Sequence, residues 1–238
     1  MSLLVPSRRF DPHVPEIMDR CGNDATLLRA DLHVLENINR FLGGHRIALG
    51  YLDKLLDTVP MSHVRILDLA TGGADVPRAI AQWARQKRIG VEITAVDRNP
   101  EILTIAREQC AAWPEIRIEQ HDLLALPYAA ASFDVVTCSL TLHHFTRANV
   151  VAILECIDNI ARVGYIINDL RRDRLAIGLS KLMARTIINN PIARFDAPAS
   201  CERAFSVAEL RAMAARAGLR SFVIRRHRFF RMAIVGRP

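Results

Sequence analysis

The sequence predicts an α/β fold: a doubly wound, mostly parallel sheet behind an N-terminal helical cap. Three observations carry this. The stretch Ile66-Leu67-Asp68-Leu69-Ala70-Thr71-Gly72-Gly73-Ala74-Asp75-Val76 reads as an apolar run, an acid, a tight glycine turn and a helix start. An apolar run of that length, bounded by a turn, fits a strand buried on both faces. From Val64 onward, apolar runs alternate with segments of helical period, which places helices on both faces of a parallel sheet. The chain has 238 residues, 50% of them hydrophobic, enough for one full α/β domain with a small appendage.

Taken in order, residues 1–23 carry Pro6, Pro12 and Pro15 and read as an irregular arm. Leu27, Leu28, Leu32, Leu35, Ile38 and Leu42 recur at helical spacing, and Gly43-Gly44 breaks that helix. Ile47, Leu49, Leu52, Leu55 and Leu56 continue as a second helix ending before Pro60. This pair, within residues 1–61, is an N-terminal cap that either roofs a pocket or covers one sheet face. Residues 62–238 form the main domain. Its strands are expected at Val64–Leu69, Val91–Val96, Ile116–Glu119, Phe133–Ser139 and Gly164–Asn168. Helices follow at Val76–Lys87, Pro100–Ala112 (with Asn99 as cap and Pro100 in the first turn) and Asn149–Ala161. An insert at about 171–205 comes next: an amphipathic helix over Leu175–Ile188, a turn at Asn189-Asn190-Pro191, then a long loop over 191–205. Ser206 and Glu209 form a capping box for a helix to Ala217, with Gly218 as its stop. Ser221–Arg228 and Phe230–Val235 are two closing strands.

Composition narrows the setting. Cys21, Cys110, Cys138, Cys156 and Cys201 are scattered without a C-x-x-C pair, so neither a metal site nor a disulfide framework is suggested. Reduced cysteines fit a cytoplasmic protein. No apolar run approaches the ~20 residues of a membrane span, and the N-terminus lacks the layout of a signal peptide. The net charge of +7 comes from dispersed arginines, apart from the dense stretch Arg225, Arg226, His227, Arg228 and Arg231. Phe222 and Ile224, at alternating positions there, read as a hairpin with a solvated face rather than a nucleic-acid surface.

The chemistry gathers at the carboxyl ends of the strands. Gly72 and Gly73 admit close approach of a ligand to the backbone, and the next helix turns its free N–H groups toward it. Asp97 ends the second strand about 25 residues on, near the ~20 expected of an acid that binds ribose hydroxyls. His121-Asp122 follows the third strand, where an acid can accept from an adenine amino group and Leu123 can pack on the ring.

The segments ILDLATGGADV, ITAVDRNPEIL, EQHDLLALP and ASFDVVTCSLTLHHF fall in the order and spacing of the class I S-adenosylmethionine-dependent methyltransferases, which this chain resembles over residues 62–170. The resemblance implies a Rossmann-like, seven-stranded sheet whose last strand is antiparallel, with S-adenosylmethionine as cofactor. It implies that Asp68, Ala70, Thr71, Gly72 and Gly73 hold the methionine portion, Asp97 and Arg98 the ribose, and Asp122 and Leu123 the adenine. Ser139 and Leu140 would sit near the sulfonium. The loop departs from D-x-G-x-G-x-G: Ala70 and Ala74 stand for the first and third glycines. The ubiquinone/menaquinone-biosynthesis methyltransferases look similar in accepting alanine first. A nicotinamide-binding enzyme would want G-x-G-x-x-G, which is absent. INRFLGGHR, INDLRRDRLAIGL and RAFSVAELRAMAARAG also resemble bacterial methyltransferases found beside type III polyketide synthases, which implies O-methylation of a phenolic or polyketide-derived molecule.

Transfer to a phenol, whose pKa lies near ~10, is helped by a base. His143 and His144, after the fourth strand, are the candidates, and as neighbours only one is expected to face inward. Asn168 and Asp169, after the fifth strand, are candidates for a substrate hydroxyl. Arg171 and Arg172 either meet an anion or are exposed partners of Asp169 and Asp173. Asn39, Arg40 and His45 touch the acceptor if the cap roofs the pocket, and Leu179, Leu182 and Met183 either line an apolar channel or pack in the core. Three alternatives stand beside O-methylation: C-methylation of a quinone-type ring, methylation of nucleic acid (against which Ser139-Leu140-Thr141-Leu142 stands where N-P-P-Y would be), and binding without catalysis. The expected partner is a small aromatic acceptor, with no nucleic acid, and the chain a monomer or homodimer.

Overall fold

The computed structural model describes residues 5–20, 22–57 and 61–238. Cys21 and Pro60 lie outside them. The seven strands are β1 (His63–Leu69), β2 (Gly90–Asp97), β3 (Ile116–Gln120), β4 (Phe133–Ser139), β5 (Ala161–Leu170), β6 (Ser221–His227) and β7 (Arg231–Arg237). They form one sheet in the order β3-β2-β1-β4-β5-β7-β6. β1 to β5 are parallel, while β7 runs antiparallel between β5 and β6. Strand order reverses between β1 and β4, so their carboxyl ends splay around a crevice, the usual place for a ligand in such sheets.

Among the described residues, eight α-helices accompany the sheet: α1 (Ala25–Phe41), α2 (Gly44–Leu56), α3 (Asp75–Lys87), α4 (Pro100–Gln109), α5 (Arg147–Ile160), α6 (Arg174–Thr186), α7 (Pro191–Arg203) and α8 (Val207–Arg216). On one face, Val150, Ile153, Leu154 and Ile157 of α5 and Leu210 and Met213 of α8 pack on Leu67, Val136, Tyr165 and Ile167. On the other, Ala48, Leu52 and Leu55 of α2 join Ile80 and Ala84 of α3 against Ile66, Ile93 and Ile166. These central strands are buried on both faces, which is why they read as continuous apolar runs.

The predicted caps are present. Asn99 accepts from Glu101 N and Ile102 N, the Ser206–Glu209 capping box is complete, and Gly43 and Gly218 sit at φ +87° and +72°. One prediction fails: 191–205 is not a loop, because Pro191–Arg203 is helix α7. Pro191 occupies the first turn, where its missing N–H costs nothing, and the Asn190 side chain accepts from Ile192 N and Ala193 N. Pro198 lies inside this helix, against the rule that suggested a loop. The helix is held by tertiary contacts: the Asp196 carboxylate accepts from Ile17 N and Met18 N of the arm. The two cap helices divide the roles left open for them: α2 covers the sheet, while α1 presents Leu32, Leu35, Ile38, Asn39 and Leu42 to a cavity.

Candidate active site

A cavity of about 630 Å³ opens at the carboxyl edge, between the β1, β2 and β4 ends and a roof made of the arm, α1, α6 and α7. Its size falls within the roughly 300–1,000 Å³ of small-molecule sites. The loop after β1 builds the floor. Ala70, Gly72 and Ala74 have φ of +50°, +55° and +56°. The two alanines therefore keep the left-handed backbone that glycine normally supplies, at roughly 1–2 kcal/mol each. Asp97 locks the loop from the neighbouring strand: its Oδ2 accepts from Gly72 N at 3.0 Å and its Oδ1 from Asn99 N at 3.1 Å. Burial pushes the Asp97 carboxyl above its ordinary value against those backbone hydrogen bonds.

Ala70, Thr71, Gly72, Gly73, Asp97, Arg98, Asp122, Leu123, Ser139 and Leu140 all line this cavity. The Asp122 carboxylate also accepts from Leu124 N, closing the turn that sets Leu123 inward. Leu140 is another left-handed residue, at φ +54°. Asp68 does not reach the wall. It lies beneath the loop, accepts from the Thr137 hydroxyl at 2.6 Å, and is raised to about 7, chiefly by burial. That hydrogen bond joins β1 to β4 under the loop.

His143 and His144 form a 3-10 turn after β4, and both rings face the cavity, their centroids 4.3 Å apart. The expectation that only one could turn inward fails, because the tight turn and two carboxylates hold both. Asp169 Oδ1 meets His143 Nδ1 at 2.7 Å, and its Oδ2 accepts from His143 N at 3.1 Å. Burial raises the Asp169 carboxyl, but the charge and hydrogen bond of His143 outweigh it and keep the group below the ordinary value. Asp19 Oδ2, from the arm, meets His144 Nδ1 at 2.7 Å. Burial opposes a charge on His144, yet Glu16 and Asp19 together raise it to about 9.

The arm thus completes the site. Glu16 is almost fully buried, 3.9 Å from Nε2 of each imidazole. Its carboxylate also accepts from the Ser200 hydroxyl at 2.9 Å and pairs with Arg203 at 3.3 Å. Glu16, His143 and His144 offer side-chain atoms within 4.8 Å of one another, a grouping able to admit a metal ion that the sequence pattern did not flag. Arg8 pins the arm, donating to the backbone oxygens of His143, Phe145 and Arg203 between the rings of Phe10 and Phe205. Nothing local in the sequence announces Glu16 or Asp19, which meet residues more than 120 positions away.

The substrate candidates fare unevenly. Asn39 lines the cavity and bridges Asp75 and the buried Arg231, donating to the first and accepting from the second, each at 2.9 Å. Arg40, next in the helix, points to solvent and lies over Phe41. His45 is turned to Asp75 at 2.7 Å. Arg171 reaches the wall and pairs with Asp173. Asn168 and Asp169 are buried behind the wall rather than on it, so Asp169 acts only through His143. Arg172 is not exposed: it is buried between Pro6 O, Ala204 O and Glu209. Arg231 likewise leaves the basic surface stretch and is 1% exposed. Leu179 and Met183 line the cavity, and Leu182 does not.

The residues fit a sulfonium nucleoside: a glycine-type loop at the methionine end, a buried carboxylate for a ribose, and a second carboxylate beside an apolar residue for adenine. Residues 66–164 match the family model described as a methyltransferase domain. A demethylmenaquinone methyltransferase of Deinococcus radiodurans is 42% identical over 82 residues, 34% of this chain and 32% of that protein. A ubiquinone biosynthesis O-methyltransferase of Xylella fastidiosa is 34% identical over 97 residues, 39% of this chain and 36% of that protein. The matched segments thus span about a third of these relatives. Among solved structures, a SAM-dependent methyltransferase from Aquifex aeolicus superposes with a TM-score of 0.62 at 14% identity, covering 96% of this chain and 98% of that one. Human N-acetylserotonin methyltransferase in complex with SAM gives 0.63 at 16%, covering 90% and 56%. At these identities the likeness is one of fold: that of S-adenosylmethionine-dependent methyltransferases, with the seventh strand antiparallel as anticipated.

Proposed function

We propose that this protein is an S-adenosylmethionine-dependent methyltransferase that O-methylates a small phenolic or polyketide-derived acceptor. One observation carries the reading: the Asp97-locked loop and His143, which Asp169 holds from behind the wall, line the same cavity. When bound, the cofactor supplies a methyl group on a sulfonium. Asp97 and Arg98 would hold its ribose, Asp122 and Leu123 its adenine, and the 70–73 loop its methionine end.

The chain's own residues do the rest by position and proton handling. Asp169 meets His143 Nδ1 and fixes the ring, so Nε2 is the nitrogen that Asp169 leaves free. His144, held cationic near neutral pH, is a poor proton acceptor and a good anchor for the arm. His143 is therefore the base that takes the acceptor's hydroxyl proton, and Asp169 balances the imidazolium that results. The arm, α1, α6 and α7 keep water from the transfer. Val34, Leu35, Ile38, Leu179 and Met183 give the acceptor side an apolar wall suited to an aromatic ring or an alkyl chain. The activities named for the relatives, on menaquinone and ubiquinone precursors, support a ring acceptor and keep C-methylation of a quinone-type ring as a second reading.

Calorimetry with S-adenosylmethionine tests the cofactor half. Asp97→Ala loses hydrogen bonds to a charged group and should weaken binding roughly tenfold to a hundredfold; unchanged affinity would overturn it. A transfer screen over phenols, hydroquinones and RNA, with product NMR to separate O-methyl from C-methyl, tests the acceptor half. Activity on RNA alone would reject it. His143→Ala should cut kcat by about 10²–10⁴ on a phenol, and Asp169→Asn should lower kcat and shift its pH profile with little change in KM.

A further inference from the structure

Helix α6 leaves an apolar face uncovered beside the cavity mouth. Leu175 and Leu182 are 69% and 57% exposed, and Ile187, just past the end of the helix, is 68% exposed. With 3.6 residues per turn, Leu175, Leu179 and Leu182 fall within one narrow stripe. Ala176, Ser180 and Met183 lie on one side of it, turned to the cavity. Arg174, Lys181 and Arg185 lie on its other side as a cationic row, all three exposed. Phe195 and Arg194 of α7 are exposed as well. From Arg174 to Phe195 there are three arginines, one lysine and no acid. The flanking acids are engaged: Asp173 pairs with Arg171, the buried Asp196 accepts from Ile17 N and Met18 N, and Glu202 pairs with Lys181 at 2.6 Å. A surface helix with an apolar stripe edged by cations is the pattern that lies in a membrane interface, and no helix among the described residues is long and apolar enough to cross one.

We propose that the face formed by α6 and the start of α7 docks on an anionic lipid surface, with the stripe entering the acyl boundary and the cationic row meeting the headgroups. Charge complementarity selects this occupant. A second copy placed face to face would set the same cationic row against itself, which repels. Nucleic acid would meet the row but leave the leucine stripe in water. Because the inner side of α6 is cavity wall, docking would set the cavity mouth against the bilayer, where an apolar acceptor can pass without crossing water. The proposal concerns the surface alone and stands independently of which acceptor is methylated.

Flotation of the full chain with vesicles tests it, using phosphatidylcholine alone and phosphatidylcholine mixed with phosphatidylglycerol. The chain should float with the mixed vesicles, less with the neutral ones, and less again as salt is raised. Each cation near the surface is worth roughly fivefold in partitioning, so Arg174→Gln, Lys181→Gln and Arg185→Gln together should weaken it roughly a hundredfold. Leu175→Ser, Leu182→Ser and Ile187→Ser together should weaken it at least about tenfold. Both triple variants alter residues outside the cavity wall, and unchanged calorimetric binding of S-adenosylhomocysteine would show them folded. No flotation of the wild type, or flotation untouched by both variants, would overturn the proposal. So would a wild-type dimer in sedimentation equilibrium that the leucine variant dissociates, with no vesicle binding.

Discussion

Replacing Asp19 by asparagine should remove a pH-dependent part of the protein's stability. His144 has a folded pKa of about 9 against an ordinary 6.5, with burial opposed by Glu16 and Asp19. A group whose folded pKa is raised contributes stability that is fully present below the unfolded value and lost as pH rises through the folded one. The gap between the two values corresponds to about 3 kcal/mol, available near pH 6 and gone by about pH 10. Asp31, Asp68 and Asp196 are also raised, mainly by burial, to about 7, 7 and 6. They finish titrating near neutrality, so the alkaline limb belongs to His144 among these groups. Asp19→Asn keeps a hydrogen-bonding side chain but loses the charge and leaves Glu16 in place, so the variant should lose about 1–2 kcal/mol of the alkaline fall. Urea denaturation of both proteins at intervals from about pH 7 to pH 10 would measure it. The two stability curves should lie furthest apart near neutral pH and converge as pH rises. Parallel curves across that range would refute the assignment of His144 as a buried cation held by the arm.

Other perturbations follow from single geometric facts. Ala70→Gly relieves a left-handed alanine on the cavity wall and should stabilise by about 1 kcal/mol, raising Tm by roughly 2–4 °C in a chain of this size; a fall in Tm by calorimetry would contradict the strain. Ala74→Gly should gain less, because Ala74 is fully buried and loses a packed methyl. Asn39→Ala removes a hydrogen-bond acceptor from the buried Arg231 and should cost about 1.5–3 kcal/mol in urea unfolding, as loss of a hydrogen bond to a charged group does; a cost under about 1 kcal/mol would show that Arg231 finds another partner. Arg8→Ala should loosen the arm, seen as faster amide exchange over residues 5–20 and a higher KM for the acceptor.

The sheet and cofactor loop were legible because their signals are local. Central strands buried on both faces must be apolar throughout, the caps at Asn99 and Ser206 act within three residues, and carboxyl-edge acids recur at strand ends. Where local rules competed with tertiary contacts, reading failed. Pro198 argued for a loop, yet Asp196 of the same turn accepts two backbone N–H groups from the arm and the helix persists. Arg172 and Arg231 carry charges that composition assigns to the surface, and each is buried because its partners lie far along the chain. Asp68 sits at the expected strand end, but its side chain follows the strand's alternation into Thr137 rather than toward the cavity.

The two alanines of the loop give Asp97 a part beyond the proposed ligand contact. Glycine at both positions would adopt φ near +50° freely; alanine does so only if neighbours over-determine the turn. Asp97 supplies that constraint by accepting from Gly72 N between them, and Thr71 N adds to it by donating to Val96 O at 2.9 Å. The same carboxylate therefore shapes the loop before a ribose arrives. Loss of cofactor affinity in Asp97→Ala should then carry two components, a missing ribose contact and a relaxed loop. Adding Ala70→Gly to Asp97→Ala would make relaxation easier still, so the double variant should bind more weakly than the single one. Equal affinity would mean that the loop holds its shape without Asp97 and that the contact with the ribose is the whole of its contribution.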